Sequence, residues 1–119
     1  AFIAQLDPTV EQVYDIKTAV SEAVTNAIVH GYRDRLGTIT LTVRLYAPAA
    51  VEIIIADKGC GIENISQARE PMFTTGGAER SGMGFTIMES FMDGLIVRSR
   101  PGKGTTVILQ KALQARPEV

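Results

Sequence analysis

The sequence predicts an α+β domain, a two-layer sandwich in which a mixed, mostly antiparallel sheet carries helices on one face. Three observations lead there. A long apolar stripe at helical spacing opens the chain, two alternating apolar runs follow close together, and two more runs close it after a second, shorter helical stretch. Strands that come in adjacent pairs, with helices between the pairs, are most economically arranged as hairpins covered on one side.

Each element has its own signal. Asp7-Pro8 breaks whatever precedes it, and Thr9 with Gln12 three residues later forms a capping-box pattern. A helix over 10–30 follows, closed by Gly31, with Val13, Ile16, Val20, Ala23, Val24 and Ala27 on one face. The period then changes from helical to alternating. Ile39, Leu41, Val43 and Leu45 alternate with polar residues in a strand ending near Ala47-Pro48, and 51–56 forms a second strand. Its more continuous apolar character predicts a central position. Asp57-Lys-Gly59-Cys-Gly61 is a glycine-rich turn. One or two helical turns are expected over 64–69, a loop over 73–81, and a helix over 84–92 whose Met88 and Met92, with Met83 before it, read as core filler. Strands over 95–99 and 105–110 surround the turn Pro101-Gly-Lys-Gly104.

Composition narrows the function classes. At 119 residues, 1–119 reads as one domain with one core, and 45% apolar content argues against disorder. Twelve basic against thirteen acidic residues give a net charge of −1, which offers no electrostatic case for nucleic acid. A single cysteine, Cys60, excludes an internal disulfide and fits a reducing compartment, so a cytoplasmic protein is expected. No apolar run reaches the roughly 20 residues of a membrane span. The apolar start, Ala-Phe-Ile-Ala-Gln-Leu without an initiating Met, reads as the tail of an element whose beginning is missing.

Polar residues suggest a site. Ser81-Gly82-Met83-Gly84 opens straight into an apolar helix, and the unpartnered N–H groups of a helix start, with glycine allowing close approach, suit a phosphate. Glu22 and Asn26 stand four residues apart, so they share one side of the first helix, as a carboxylate base and an oxygen ligand for Mg²⁺ or as a solvated face. His30 beside the closing glycine reads as a dipole partner. Asp57 at a strand end is either an acceptor for the amino group of a base or a turn residue bonding its own backbone. The stretch Pro71-Met-Phe-Thr74-Thr75-Gly-Gly with Arg80 suits a lid, and Thr105 and Thr106 read as strand residues.

Taken in order, Glu22-Ala-Val-Thr-Asn26, Asp57-Lys-Gly59-Cys-Gly61, Phe73-Thr74-Thr75, Ser81-Gly82-Met83-Gly84 and Gly104-Thr105-Thr106 resemble the boxes of the GHKL ATPase/kinase superfamily. Within it, Ser-Glu-Ala-Val-Thr-Asn-Ala-Ile-Val-His-Gly-Tyr and the run from Arg80 to Asp93 resemble the anti-sigma serine kinases of sporulation. The resemblance covers nearly the whole chain. It implies the Bergerat-type fold and an ATP/ADP site in which Glu22 is the catalytic base and Asn26 holds Mg²⁺. Asp57 would accept from the adenine amino group with Thr105 assisting, and Gly59 and Gly61 would shape the purine pocket. Thr74, Thr75, Arg80, Ser81, Gly82, Met83 and Gly84 would form the lid and its phosphate-facing end. A sigma factor, an anti-anti-sigma protein carrying the acceptor serine, and a second copy of the chain are the implied partners. A nucleotide-gated sigma-binding module without kinase activity, or the ATPase domain of a larger machine, is the alternative. Gly76-Gly77-Ala78 departs from the family's lid, where a lysine is usual, and implies a more mobile one.

Overall fold

The computed structural model describes residues 9–33, 36–46, 49–62, 64, 65, 69 and 84–113. The first helix, α1, spans Val10–Asn26. The expected capping box starts it: the Gln12 N–H donates to Thr9 Oγ1 at 3.1 Å, and the Thr9 N–H donates to Gln12 Oε1 at 2.9 Å. Its buried stripe is Gln12, Ile16, Ala19 and Ala23, with Ala27 beyond it. Val13, Val20 and Val24 lie half-buried beside that stripe instead of at its centre. The two alanines at the centre have no side chain beyond Cβ, so the helix backbone lies close to what it covers.

The helix does not run to residue 30 as expected. After Asn26 the chain widens into a π-helical turn, Ala27–Tyr32, and the residue that leaves it in the left-handed region is Arg33, at φ 42°. Gly31 is buried inside this turn. Tertiary bonds override the local stop signal: the Cys60 N–H donates to Gly31 O at 2.8 Å, and the Lys58 N–H donates to the Tyr32 hydroxyl at 2.9 Å. The same hydroxyl donates to Thr38 O.

Four strands follow: β1 (Ile39–Tyr46), β2 (Ala50–Asp57), β3 (Gly94–Arg100) and β4 (Gly104–Ala112). They pair in the order β1-β2-β4-β3, and every pairing is antiparallel, so the parallel component of the expected mixed sheet is absent among the described strands. β2 is central, as its apolar run predicts. Between β3 and β4, the Lys103 N–H bonds Arg100 O at 3.0 Å, with Pro101 and then Gly102 at φ 77° as the central residues. A proline followed by a residue of positive φ is the requirement of a type II turn.

The second helix, α2 (Gly84–Phe91), packs antiparallel to α1. Asn26 meets Gly84 at one end, and at the other the rings of Tyr14 and Phe91 meet edge to face, with centroids 6.5 Å apart. Between helices and sheet lie Val51, Ile53, Ile55, Val107 and Leu109 with Ile16, Phe85, Met88 and Met92. The core role of Met88 and Met92 is as expected. Each large side chain buried here contributes about 1.5–3 kcal/mol. The Arg69 N–H donates to Ile65 O at 3.0 Å, and Arg69 pairs with Glu89 on α2.

Candidate functional site

Alternation along the strands places the site. Val51, Ile53 and Ile55 face inward, and the next inward position is Asp57; on β4 the inward set Leu109 and Val107 continues to Thr105. On β3, Leu95 and Val97 continue to Ser99. Register aligns the three polar residues across the sheet, Asp57 opposite Thr105 and Thr105 opposite Ser99. The apolar face therefore ends in a polar row. A cavity of about 520 Å³ opens there, lined among others by Asp57, Ile65, Val97, Ser99, Gly104 and Thr105.

The turn reading of Asp57 is found in its carboxylate. Oδ1 accepts from the Gly59 N–H at 2.8 Å, a turn bond to its own backbone, and among the described residues nothing donates to Oδ2. The π-turn covers this carboxylate: a Cβ on Gly31 would lie 3.1 Å from Oδ1. Gly59 and Gly61 have a packing reason to be glycine in addition to the one the resemblance implies. A Cβ on Gly59 would lie 2.3 Å from Gly31 O, and one on Gly61, at φ 77°, 2.1 Å from Arg100 O. The loop is thus clasped between the π-turn and the β3–β4 turn, where the Gly102 N–H also donates to Cys60 O at 2.6 Å.

On the helix side, Glu22 and Asn26 are half-buried on one side of α1. Asn26 lies against the first residue of α2, where a Cβ on Gly84 would come within 2.9 Å of both its amide oxygen and nitrogen. An amide is thereby held at the start of a helix, where the backbone N–H groups have no partners of their own. Thr74, Thr75, Arg80, Ser81, Gly82 and Met83 lie outside the described residues. His30 contributes its carbonyl, which accepts from Cys60 Sγ at 3.1 Å and Arg33 Nε at 3.3 Å. Among the described residues no cluster of three His, Cys, Asp or Glu assembles. A magnesium ion at a nucleotide needs only one or two protein ligands besides phosphate oxygens and water, so an amide such as Asn26 suits it.

Sequence reasoning missed Tyr32, Gly31 and Ser99. Ser99 had a signal, a polar residue at the alternate position that follows Leu95 and Val97. The other two had none, because their roles depend on the π-turn.

The family of histidine kinase-like ATPase domains matches residues 1–111. An anti-sigma F factor from Clostridium perfringens is 53% identical over 114 residues, 95% of this chain and 81% of its own length. The chain belongs to the anti-sigma F factor family. A second such factor, from Geobacillus thermodenitrificans, is 54% identical over 112 residues, 93% of this chain and 77% of its own length. Among solved structures, the kinase domain of the blue-light-activated histidine kinase of Erythrobacter litoralis superposes with a TM-score of 0.67 at 27% identity. That match covers 88% of this chain, which spans under half of that protein (46%). A domain of this family implies nucleotide binding.

Proposed function

We propose that the chain is an anti-sigma factor and an ATP-dependent serine kinase. It binds a sporulation sigma factor and phosphorylates a serine of the anti-anti-sigma protein that opposes it. The observation that carries this reading is the register of Asp57 with Thr105 at the end of the sheet, together with Asn26 held against the start of α2. The similarity to proteins named anti-sigma F factor supplies the partner class.

In this reading the purine lies against Gly59 and Gly61 and gives its amino hydrogens to Asp57, with Thr105 assisting. Its phosphates lie toward Gly84, Met83 and Gly82, enclosed by a lid with Thr74, Thr75, Arg80 and Ser81. Asn26 holds the Mg²⁺, which when bound neutralises phosphate charge. Glu22, one turn before Asn26, accepts the proton of the acceptor serine as its oxygen bonds the γ-phosphorus and ADP departs. Phosphoryl transfer needs positioning and charge stabilisation more than covalent help, so one carboxylate suffices. The kinase works in the cytoplasm as a homodimer.

The test is transfer of label from γ-labelled ATP with Mg²⁺ to serine of an anti-anti-sigma protein. Glu22→Gln is expected to retain nucleotide and sigma binding and to lose transfer by about 100-fold or more. Equal loss of nucleotide binding would remove Glu22 from the role of base. Sigma binding by the parent chain without any phosphoserine would leave a nucleotide-gated binding module.

A further inference from the structure

We propose that Ser99 is a positioning residue that fixes Thr105 as a hydrogen-bond acceptor, and that it thereby selects a 6-aminopurine over a 6-oxopurine. The inference rests on the nucleotide reading above and adds a residue and a proton assignment to it.

The argument is a count of hydrogens. Ser99 Oγ has three polar neighbours: the Ile62 N at 2.7 Å, Gly104 O at 2.8 Å and Thr105 Oγ1 at 2.8 Å. A hydroxyl has one hydrogen and two lone pairs. The Ile62 N–H can only donate, so it takes one lone pair. The Gly104 carbonyl can only accept, so the single Ser99 hydrogen points to it. The remaining neighbour, Thr105, must then donate to the second lone pair of Ser99. Any other assignment leaves two oxygens 2.8 Å apart with no hydrogen between them, in a place where Gly104 and Thr105 are buried.

Thr105 therefore commits its hydrogen to Ser99 and offers the cavity lone pairs alone. Its partner across the ladder, Asp57, has Oδ1 engaged by the Gly59 N–H and offers Oδ2, also an acceptor. Two adjacent acceptors suit a group that brings hydrogens, such as an exocyclic amino group. The 6-oxo group of hypoxanthine brings a third acceptor against them. Without Ser99, Thr105 can rotate and donate to that oxygen, so the discrimination depends on a residue that never touches the base. The bond from the Ile62 N–H adds a second duty, since it holds the glycine-rich loop in place over the same row.

The experiment compares ATP and ITP binding by titration calorimetry in the parent chain, Ser99→Ala, Ser99→Thr, Thr105→Val and the Ser99→Ala/Thr105→Val double variant. The parent is expected to prefer ATP, and Ser99→Ala to reduce the ATP-to-ITP affinity ratio by about three- to tenfold. Ser99→Thr keeps the hydroxyl and should restore the parent ratio. In the Thr105→Val background, Ser99→Ala should leave the ratio where Thr105→Val alone puts it. A purely structural serine predicts equal losses for both nucleotides, and an unchanged ratio in Ser99→Ala overturns the proposal. Should that variant not fold, Ser99→Cys, a weaker acceptor of similar shape, replaces it: a partly reduced ratio supports the proposal and a parent ratio overturns it. A parent chain that binds neither nucleotide overturns the nucleotide reading itself, and this inference with it.

Discussion

The inward face of the sheet carries polar side chains at both of its ends, and the two ends handle them differently. At one end Lys111, opposite Val51, donates to Phe91 O at 2.7 Å and lies 3.6 Å from Asp15 Oδ2. Its side chain is only 12% exposed, and its anchors lie on α1 and at the last residue of α2. There the charge meets its partners within the protein. At the other end Ser99 and Thr105 bond each other, and Ser99 and Asp57 bond the nearby backbone, yet acceptor positions are left over beside a cavity. A polar residue that interrupts an apolar strand thus has two meanings. Where donors and acceptors balance internally it fastens helices to the sheet, and where acceptors are left over it faces a ligand.

The sharpest way to break this comparison is Asp57→Asn. The amide oxygen can keep the bond from Gly59, while the amide nitrogen sets a donor against the donors of the ligand. Nucleotide affinity should fall about 10- to 100-fold with little change in melting temperature. An unchanged affinity by calorimetry would remove Asp57 from the ligand. At the opposite end, Lys111→Met should do the reverse. It leaves Asp15 partly buried without its cation and should lower stability by about 1–2 kcal/mol, or roughly 5 °C in melting temperature, with affinity unchanged within about twofold. A loss of affinity there would show the two ends to be coupled through the helices. Smallest is Gly31→Ala. Its new Cβ would lie 3.1 Å from Asp57 Oδ1, close enough to shift the carboxylate by tenths of an ångström. A drop in affinity of about two- to fivefold is expected, and a parent value would mean that the carboxylate yields freely.

Elements with a local cause were legible from sequence. The capping box at Thr9 and Gln12, the strand β1, and the turn at Pro101-Gly102 each depend on a few adjacent residues, and each is found where the sequence places it, although Leu41 of the alternating apolar set in β1 is exposed. The pairing of β1 with β2 and of β3 with β4 followed from short connections. The contact of β2 with β4 was not legible, because it joins residues about fifty positions apart and no turn sets its register. That pairing is what brings Asp57 opposite Thr105, so the site was visible as separate motifs but not as a row. The end of α1 was misread for a related reason. Gly31 looks like a helix stop, but the bonds that decide its conformation come from Lys58 and Cys60.

The π-turn at Ala27–Tyr32 has a consequence for what kinds of mutation the chain tolerates. Such a turn accommodates one residue more than an α-helical turn would. Removing one residue from it would restore an α-helical turn that covers about the same rotation, so the residues after it keep their directions. A deletion within Val10–Asn26 has no such slack and turns everything after it by roughly 100° about the axis. Ile28 on the outer side, 55% exposed, can be exchanged freely. The slack in residue count thus lies in this segment, and a single-codon deletion is absorbed there more readily than within α1.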